Sequence, residues 1–294
     1  MILNATYESF SLEPEYVEAN RKFLERQSLS QVQRILDLAC GNGSISEMLL
    51  QAAPQAHLNG LDQDPVQIGL VIKRFENLGY TVRESFQLND EFIDSKPILA
   101  FAVSSADRPP FPDQSFDCVV IANAIHLMPD KEQFIKAAWK ILKPGGIFGF
   151  NSAFYAGTFP EGTHQFYTEW LKQTTTYIQT LSERLQAAGQ PPIRRIRDKH
   201  RKAFRNRWYS PAEWSALLEQ QGFQVTDQNE RVVLLNGRCF AAIGAYAGFA
   251  EVLLQGYPVD AATEALQSTA HSALAALNIT TVPRNWLEMW AIKR

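Results

Sequence analysis

Two glycines one residue apart, with a carboxylate just before them, are the residues of this chain best suited to ligand chemistry. Gly41 and Gly43 follow the stretch 34–38, whose alternating and apolar character predicts a buried strand, and the pattern after them predicts a helix capped by Ser44. Asp37 lies within the predicted strand. Glycine adopts positive φ without steric cost, so a ligand can approach bare backbone at such a turn. The stretch therefore predicts a nucleotide-binding corner.

The residue types around this turn narrow the class of ligand. Ser46 stands where the dinucleotide fingerprint G-x-G-x-x-G has its third glycine or alanine. Asp37 would repel a pyrophosphate and attract a ligand that carries an ammonium and a sulfonium group, which describes S-adenosylmethionine. The run Asp-Leu-Ala-Cys-Gly-Asn-Gly at 37–43 closely resembles the first motif of class I S-adenosylmethionine-dependent methyltransferases.

Three further motifs follow in the order that the resemblance requires. Asp62, at the end of a predicted strand, can accept both ribose hydroxyls, although an acid there suits NAD equally well. Asp107 precedes a Pro-Phe-Pro-Asp run, and in the family an acid at this place faces the adenine amine. Leu-Lys-Pro-Gly-Gly at 142–146 resembles the glycine turn into the next strand. The resemblance implies cofactor contacts from Asp37, Ala39, Gly41, Gly43, Asp62, Gln63, Ala106, Asp107 and Asn123.

Strand patterns that alternate with helix patterns predict an α/β fold with a doubly wound parallel sheet. The resemblance implies a Rossmann-like sheet of seven strands, mostly parallel, with an antiparallel last strand between the fifth and the sixth. The predicted strands are 34–38, 57–62, 98–103, 116–122, 147–153, 223–235 and 285–292.

Two stretches fall outside this core. The predicted organisation is a cofactor-binding core with an N-terminal helical segment (1–154), a helical cap insertion (155–209), and the rest of the core (210–294) with a second helical insertion at 238–280. Because ligands bind outside the carboxyl ends of the strands, we predict that the insertions cover the pocket of the methyl acceptor. The alternative is that they only add packing to the sheet.

Methyl transfer from a sulfonium is an in-line displacement, which mainly requires alignment of donor and acceptor and exclusion of water. A base is needed only if the acceptor must lose a proton. His126, just past the fourth predicted strand, is the candidate base, and the alternative is a buried histidine that orders its loop. The predicted acceptor contacts of the cap region are Tyr155, His164, Tyr167, Trp170 and Tyr209.

No metal is predicted, because the fourth predicted strand ends in Asn123 rather than an acid and no cluster of oxygen ligands follows it. The stretch 194–207 is the other unusual feature, with eight Lys or Arg and one acid. Arg201 and Arg205 are its candidate contacts to an anionic acceptor. An acidic carrier protein, RNA and a plainly solvated face are the alternatives, and RNA is disfavoured by the net charge of −3.

The cysteine content indicates the cellular compartment that we expect for this protein. Three cysteines without a C-x-x-C pair predict a reduced, cytoplasmic protein, and we expect neither a signal peptide nor a membrane span. The sequence predicts metal-independent O-methylation of a hydroxyl or carboxyl group in a small metabolite. The alternatives are C-methylation of an activated ring or enol, a non-catalytic S-adenosylmethionine-binding protein and, less favoured, an NAD oxidoreductase.

Overall fold

The computed structural model describes residues 8–83, 97–196 and 207–294. Its strands are β1 (Arg34–Leu38), β2 (His57–Asp62), β3 (Val82–Arg83), β4 (Leu99–Val103), β5 (Phe116–Ala122), β6 (Leu142–Ser152), β7 (Phe223–Asn236) and β8 (Thr281–Lys293). They form one sheet of eight strands in the order β3-β4-β2-β1-β5-β6-β8-β7. β1 is parallel to β2 and β5, β2 and β3 are parallel to β4, β5 is parallel to β6, and β8 is antiparallel to β6.

The helices of the described residues are α1 (Glu8–Ser11), α2 (Pro14–Leu24), α3 (Ser44–Ala52), α4 (Pro65–Asn77), α5 (Lys131–Ile141), α6 (His164–Ala187), α7 (Pro211–Gln220), α8 (Gly237–Gly244), α9 (Ala247–Leu253) and α10 (Val259–Ala276). α3 connects β1 to β2 and α5 connects β5 to β6, and a helix in such a connection returns the chain so that the two strands run parallel. Asp64 and Asp130 cap α4 and α5 by accepting hydrogen bonds from Val66 N and Gln133 N.

The structure corrects three details of the predicted sheet. It has eight strands instead of seven, because the two-residue β3 adds to the edge beside β4 where the sequence shows no strand pattern. β6 begins at Leu142 and β8 at Thr281, several residues before the predicted starts. Backbone pairing with a neighbouring strand extends β6, since Leu142 pairs with Phe116 ahead of an irregularity in the register.

The chain divides into two compact units. The sheet unit comprises the described residues of 19–158, 208–231 and 286–294, and the helical unit those of 1–18, 159–207 and 232–285. The two predicted insertions supply most of the helical unit, in which α10 packs against α6, α8 and α9. Whether they cover an acceptor pocket stays a prediction.

Each unit has its own apolar core. In the sheet unit, side chains of β1, β5 and β6 pack against those of α5 and α7, as Phe150 does against Trp214. In the helical unit, Trp170 of α6 is fully buried and packs against the rings of Phe166 and Phe240, which also contact each other. Its indole Nε1 donates a hydrogen bond to the Leu266 carbonyl of α10, 3.1 Å away.

Candidate cofactor site

The glycine turn lies between β1 and α3, and its two glycines differ in what they make possible. Gly43 has φ +82°, and a Cβ there would lie 2.4 Å from Val71 Cγ2, so this glycine lets the turn pack closely against α4. Gly41 has φ +53°, and a Cβ there would meet only Gln67 Oε1, at 3.7 Å. Gly41 therefore leaves its backbone open to a ligand, as the predicted cofactor requires.

The helix start at this turn differs from the prediction. Gly43, not Ser44, is the N-cap of α3, and it makes no side-chain cap bond. Asn42 supplies the missing acceptor, because its Oδ1 accepts hydrogen bonds from Ser44 N at 3.2 Å and from Ser44 Oγ at 2.8 Å. Three residues of the turn adopt positive φ, and one of them is the non-glycine Ala39. The turn is thus held in a conformation that only a few residue types tolerate.

Asp62 ties the end of β2 to the glycine turn. Its carboxylate accepts hydrogen bonds from Gly41 N and Asp64 N, each at 2.9 Å. Burial raises the pKa of this carboxyl group, and the backbone donors oppose the rise. A carboxylate offers about four acceptor positions, so acceptor capacity is left for ribose hydroxyls.

Asp37 is 1% exposed, and its Oδ2 accepts a hydrogen bond from Ser46 Oγ at 2.6 Å. Burial raises the pKa of Asp37 to about 7, with Ser46 lowering it and the charge of Asp62 raising it further. A cation close to Asp37 would favour its ionised form. Ser46, at the place of the third glycine of a dinucleotide site, therefore acts as the partner of a buried acid.

The predicted adenine side lies beyond β4. Ser104 N donates a hydrogen bond to the Asp62 carbonyl at 2.9 Å, which ties this loop to the end of β2. Ser105 Oγ donates to the Asp107 carboxylate, and Ala106 between them is buried. Gln63 is exposed. The structure thus brings the predicted cofactor residues of three strand ends to one edge of the sheet.

Asn123 follows β5 with φ +52° and is 8% exposed. Its Nδ2 donates to Asn20 Oδ1 at 3.2 Å, whereas its Oδ1 is buried without a hydrogen-bond partner among the described residues. Asn151 of β6 also donates to Asn20, at 2.7 Å. Neither Asn20 nor Asn151 was among the residues predicted from the sequence. Asn151 could have been noticed as a polar residue inside an apolar strand pattern, whereas no comparable feature of the sequence marks Asn20.

His126 lies in a short 3₁₀ turn, Ile125–Leu127, just past the carboxyl end of β5. It is 6% exposed and stacks on Phe154 with ring centroids 4.2 Å apart. Its Nδ1 lies 3.4 Å from Ser152 Oγ. This setting suits a histidine that orders the loop and also one that receives a proton at the sheet edge, so its role as base stays a prediction.

The predicted acceptor contacts divide between the two units. In the sheet unit, the buried Tyr155 donates its hydroxyl to the carboxylate of Glu230, which sequence analysis missed, and Tyr209 packs on Trp214. In the helical unit, His164 is exposed at the start of α6 and Trp170 is a core residue.

Tyr167, also in the helical unit, has a buried hydroxyl group. Burial raises its pKa, against the lowering effect of the Arg284 guanidinium. Arg201 and Arg205 lie outside the described residues, as does most of the basic stretch 194–207.

The described ranges contain one group with potential metal ligands, Glu13, Glu15 and Cys239 of the helical unit. Glu15 there accepts a hydrogen bond from Asn236, whose own side chain caps α8. This group is therefore part of a helix junction. Within the same ranges, no helix combines the length and the apolar character that a bilayer crossing requires.

The stretch that contains the glycine turn and the strands β2 to β5 is similar to known proteins. Residues 36–150 match the family model described as a methyltransferase domain. A curated relative, the ubiquinone/menaquinone biosynthesis C-methyltransferase UbiE of Bartonella henselae, is 34% identical over 116 residues, which is 39% of each chain. The chain therefore spans about two fifths of that relative's length.

Solved structures share the fold over nearly the whole chain. A candidate methyltransferase from Bacillus halodurans has a TM-score of 0.55 at 15% identity, covering 94% of this chain and 99% of that one. A Haemonchus contortus phosphoethanolamine N-methyltransferase, solved with S-adenosylhomocysteine, has a TM-score of 0.51 at 15% identity, covering 98% and 60%.

The sheet order, the glycine turn and the acid at the end of β2 define a nucleotide-binding domain of the methyltransferase class. With the family match, residues 36–150 are a class I S-adenosylmethionine-dependent methyltransferase domain, and S-adenosylmethionine is its cofactor. The resemblance stated from the sequence is confirmed.

Proposed function

We propose that this protein transfers the methyl group of S-adenosylmethionine to a carbon atom of a small aromatic or enolic acceptor. The observation that carries the proposal is the 34% identity of a 116-residue stretch of the chain to a C-methyltransferase of ubiquinone/menaquinone biosynthesis. The O-methylation predicted from the sequence finds no support among these relatives. C-methylation, first the alternative, therefore becomes the main proposal.

The described residues fit the cofactor in three ways. The open backbone at Gly41 leaves room for its amino-acid part, the Asp62 carboxylate can accept its ribose hydroxyls, and Asp37 can balance its positive charge. The bound cofactor supplies an electrophilic methyl group on a sulfonium. The chain then has to hold that methyl group in line with a nucleophilic carbon and exclude water.

A ring carbon becomes nucleophilic when a neighbouring hydroxyl loses its proton, and the same carbon loses its ring proton, leaving the C–H electron pair to the ring, after the new C–C bond has formed. Both steps call for a proton acceptor at the sheet edge, and we assign this role to His126. Ser152 Oγ lies 3.4 Å from both His126 Nδ1 and the Phe154 carbonyl. If Ser152 donates to that carbonyl, it accepts from Nδ1–H, and Nε2 is then the basic nitrogen.

The acceptor we propose is a hydroquinone or an enol, because both ionise to carbon nucleophiles. An anionic group on the acceptor and an acidic carrier protein remain predictions that depend on Arg201, Arg205 and their neighbours. Tyr155, His164, Tyr167, Trp170 and Tyr209 likewise remain proposed acceptor contacts.

The test is to incubate the protein with cofactor labelled with ¹³C in its methyl group and with a hydroquinone, a β-diketone, a catechol and a carboxylic acid in turn. Product NMR separates methyl on carbon from methyl on oxygen. We expect methyl on carbon from the hydroquinone or the diketone, with and without EDTA. Methyl on oxygen alone would overturn the proposal, and cofactor binding without any transfer would favour the non-catalytic alternative.

A further inference from the structure

Three asparagine side chains are buried together in the sheet unit. Asn20 of α2 and Asn151 of β6 are fully buried, and Asn123, after β5, is 8% exposed. Asn20 Oδ1 accepts from Asn123 Nδ2 at 3.2 Å and from Asn151 Nδ2 at 2.7 Å. Buried carboxamides are costly unless hydrogen-bonded, so the arrangement calls for an explanation beyond packing.

The orientation of all three amides follows from one unambiguous donor. The backbone N–H of Asn123 lies 3.0 Å from both the backbone carbonyl and the side-chain Oδ1 of Asn151. A flipped Asn151 would place its Nδ2 at that distance, so that two donors would face each other. Asn151 must therefore turn its Nδ2 to Asn20, which fixes Oδ1 as the atom that Asn20 offers. Asn123 in turn must offer Nδ2 to Asn20, and this leaves Oδ1 as its remaining atom.

The atom that remains is an acceptor in need of a donor. Asn123 Oδ1 is buried and has no hydrogen-bond partner among the described residues. The backbone of Asn123 has φ +52°, in the left-handed region that asparagine adopts more readily than most residues with a Cβ. A buried acceptor without a donor at the edge of a ligand site is explained if a bound ligand donates to it.

The sheet places this acceptor beside the glycine turn. β1 and β5 are parallel neighbours with Leu38 opposite Ile121, so Cys40 and Asn123 each lie two residues further on, at the same edge. Adjacent strands are about 4.8 Å apart. A ligand bound at the glycine turn can therefore also reach Asn123, and the amino-acid end of the cofactor carries a suitable donor, its α-ammonium group. A hydrogen bond from a charged donor to a buried neutral acceptor is stronger than one between two neutral groups.

We infer that Asn20 is a positioning residue that holds the Asn123 carboxamide with Oδ1 toward the cofactor, where it accepts a hydrogen bond from the α-ammonium group. The inference rests on the proposed cofactor site. Asn20 lies outside residues 36–150, so the domain match assigns it no role. It would make the N-terminal helix part of the cofactor site without direct contact to the ligand.

The test uses three ligands that differ only in the amino-acid part: S-adenosylhomocysteine, its analogue with hydrogen in place of the ammonium group, and 5′-methylthioadenosine. Calorimetry measures their affinities for the wild type and for Asn20→Leu, Asn20→Asp and Asn123→Leu. Asn59→Leu, a substitution in the middle of β2, is the matched control. Melting temperatures are measured alongside.

In the wild type we expect the ammonium group to strengthen binding about 10- to 150-fold, the range of a hydrogen bond to a charged group. In Asn20→Leu and Asn123→Leu this ratio should fall to a few-fold, while 5′-methylthioadenosine binds as before. Asn20→Asp should keep the ratio, because a carboxylate oxygen can still accept from both amides. Asn59→Leu should also keep it.

An unchanged ratio in Asn20→Leu would overturn the inference, and so would an equal loss for all three ligands, which indicates a purely structural role. If Asn20→Leu does not fold, the ratio in Asn20→Asp and Asn123→Leu decides. If the wild type binds none of the ligands, the cofactor site itself fails, which is a different result from an unchanged ratio.

Discussion

The sheet unit and the helical unit bury different kinds of side chains. At the carboxyl edge of the sheet, Asp37, Asn20 and Asn151 are almost fully buried although each is polar or charged. The core of the helical unit contains a cluster of aromatic rings in which Trp170, Phe166 and Phe240 contact one another. Burial of rings is explained by packing, whereas burial of carboxyl and amide groups needs partners or a ligand. The buried polar groups at the sheet edge therefore support a ligand site there. The buried rings of the helical unit are explained by packing and do not indicate which acceptor binds.

This contrast predicts that substitutions at the sheet edge change catalysis or binding. The largest effect should come from His126→Ala, which we expect to lower kcat by roughly 10²–10⁴, the usual share of a general base. Cofactor affinity should hardly change, and the acidic limb of the kcat–pH profile should disappear. Phe154→Leu, which removes only the stacked ring, is the matched control and should keep the profile.

A histidine that only orders the loop would give another pattern. The variant would melt earlier and bind cofactor more weakly, and its pH profile would match that of the wild type. Melting, affinity and the profile measured on the same preparation separate the two roles.

Substitutions in the ring cluster should change stability instead. Trp170→Ala should lower the free energy of unfolding by roughly 3–5 kcal/mol, because it removes a fully buried indole and leaves a cavity. Affinity for S-adenosylhomocysteine, corrected for the folded fraction, should stay the same. Urea unfolding and calorimetry check both statements. A selective loss of cofactor affinity would break the contrast between the two units.

The buried acid of the sheet unit predicts a pH dependence of stability. The pKa of Asp37 is about 7 in the folded chain, against about 3.9 in an unfolded one. The unfolded chain thus releases this proton first, so stability should fall as pH rises from about 4 to 7, by roughly 4 kcal/mol in all. Asp37→Asn should remove this part of the pH dependence.

Urea unfolding between pH 4 and 8 measures this effect on both proteins. Ser46→Ala removes the hydrogen bond that favours the ionised form, so the pKa of Asp37 should rise further and the fall in stability should be larger and continue to a higher pH. Parallel curves for the wild type and Asp37→Asn would contradict the assigned pKa.

A smaller effect should distinguish Asp62 from Asp64, the two acids at the end of β2. Asp62→Ala should weaken the binding of S-adenosylhomocysteine by about 1–3 kcal/mol, the scale of lost charge-assisted hydrogen bonds. Asp64→Ala is the matched control, because Asp64 caps α4 through Val66 N. Asp64→Ala should lower the free energy of unfolding by about 1 kcal/mol and should not change the affinity for S-adenosylhomocysteine. Equal losses of affinity in both variants would show that the effect is not specific to Asp62.

The site residues that can be proposed from the sequence are those whose geometry depends on their own stretch of chain. Gly41, Gly43 and Asp62 were predictable because a turn with positive φ and an acid at a strand end are local requirements. Asn20 was not, because its partners lie 103 and 131 residues away along the chain. Only the fold brings α2 to the ends of β5 and β6.

The strands that could be predicted are likewise those defined by their own stretch of sequence. β1, β2 and β5 were predicted to the residue because apolar runs between turns define buried parallel strands. β3 was missed because two residues carry no periodicity, and the early starts of β6 and β8 depend on pairing with neighbours. The acceptor contacts remain proposals because Trp170 and Tyr155 have the same residue types whether they pack a core or touch a ligand.

The central claim is that the cofactor binds at the carboxyl edge of the sheet, and hydrogen–deuterium exchange with and without S-adenosylhomocysteine tests it most directly. We expect added protection in the glycine turn at 39–43, at 62–64, at 104–108 and at 120–126. Peptides from the middle of α6 and from α10 should exchange as before. Protection confined to those helices, or no protection at saturating ligand, would contradict the claim.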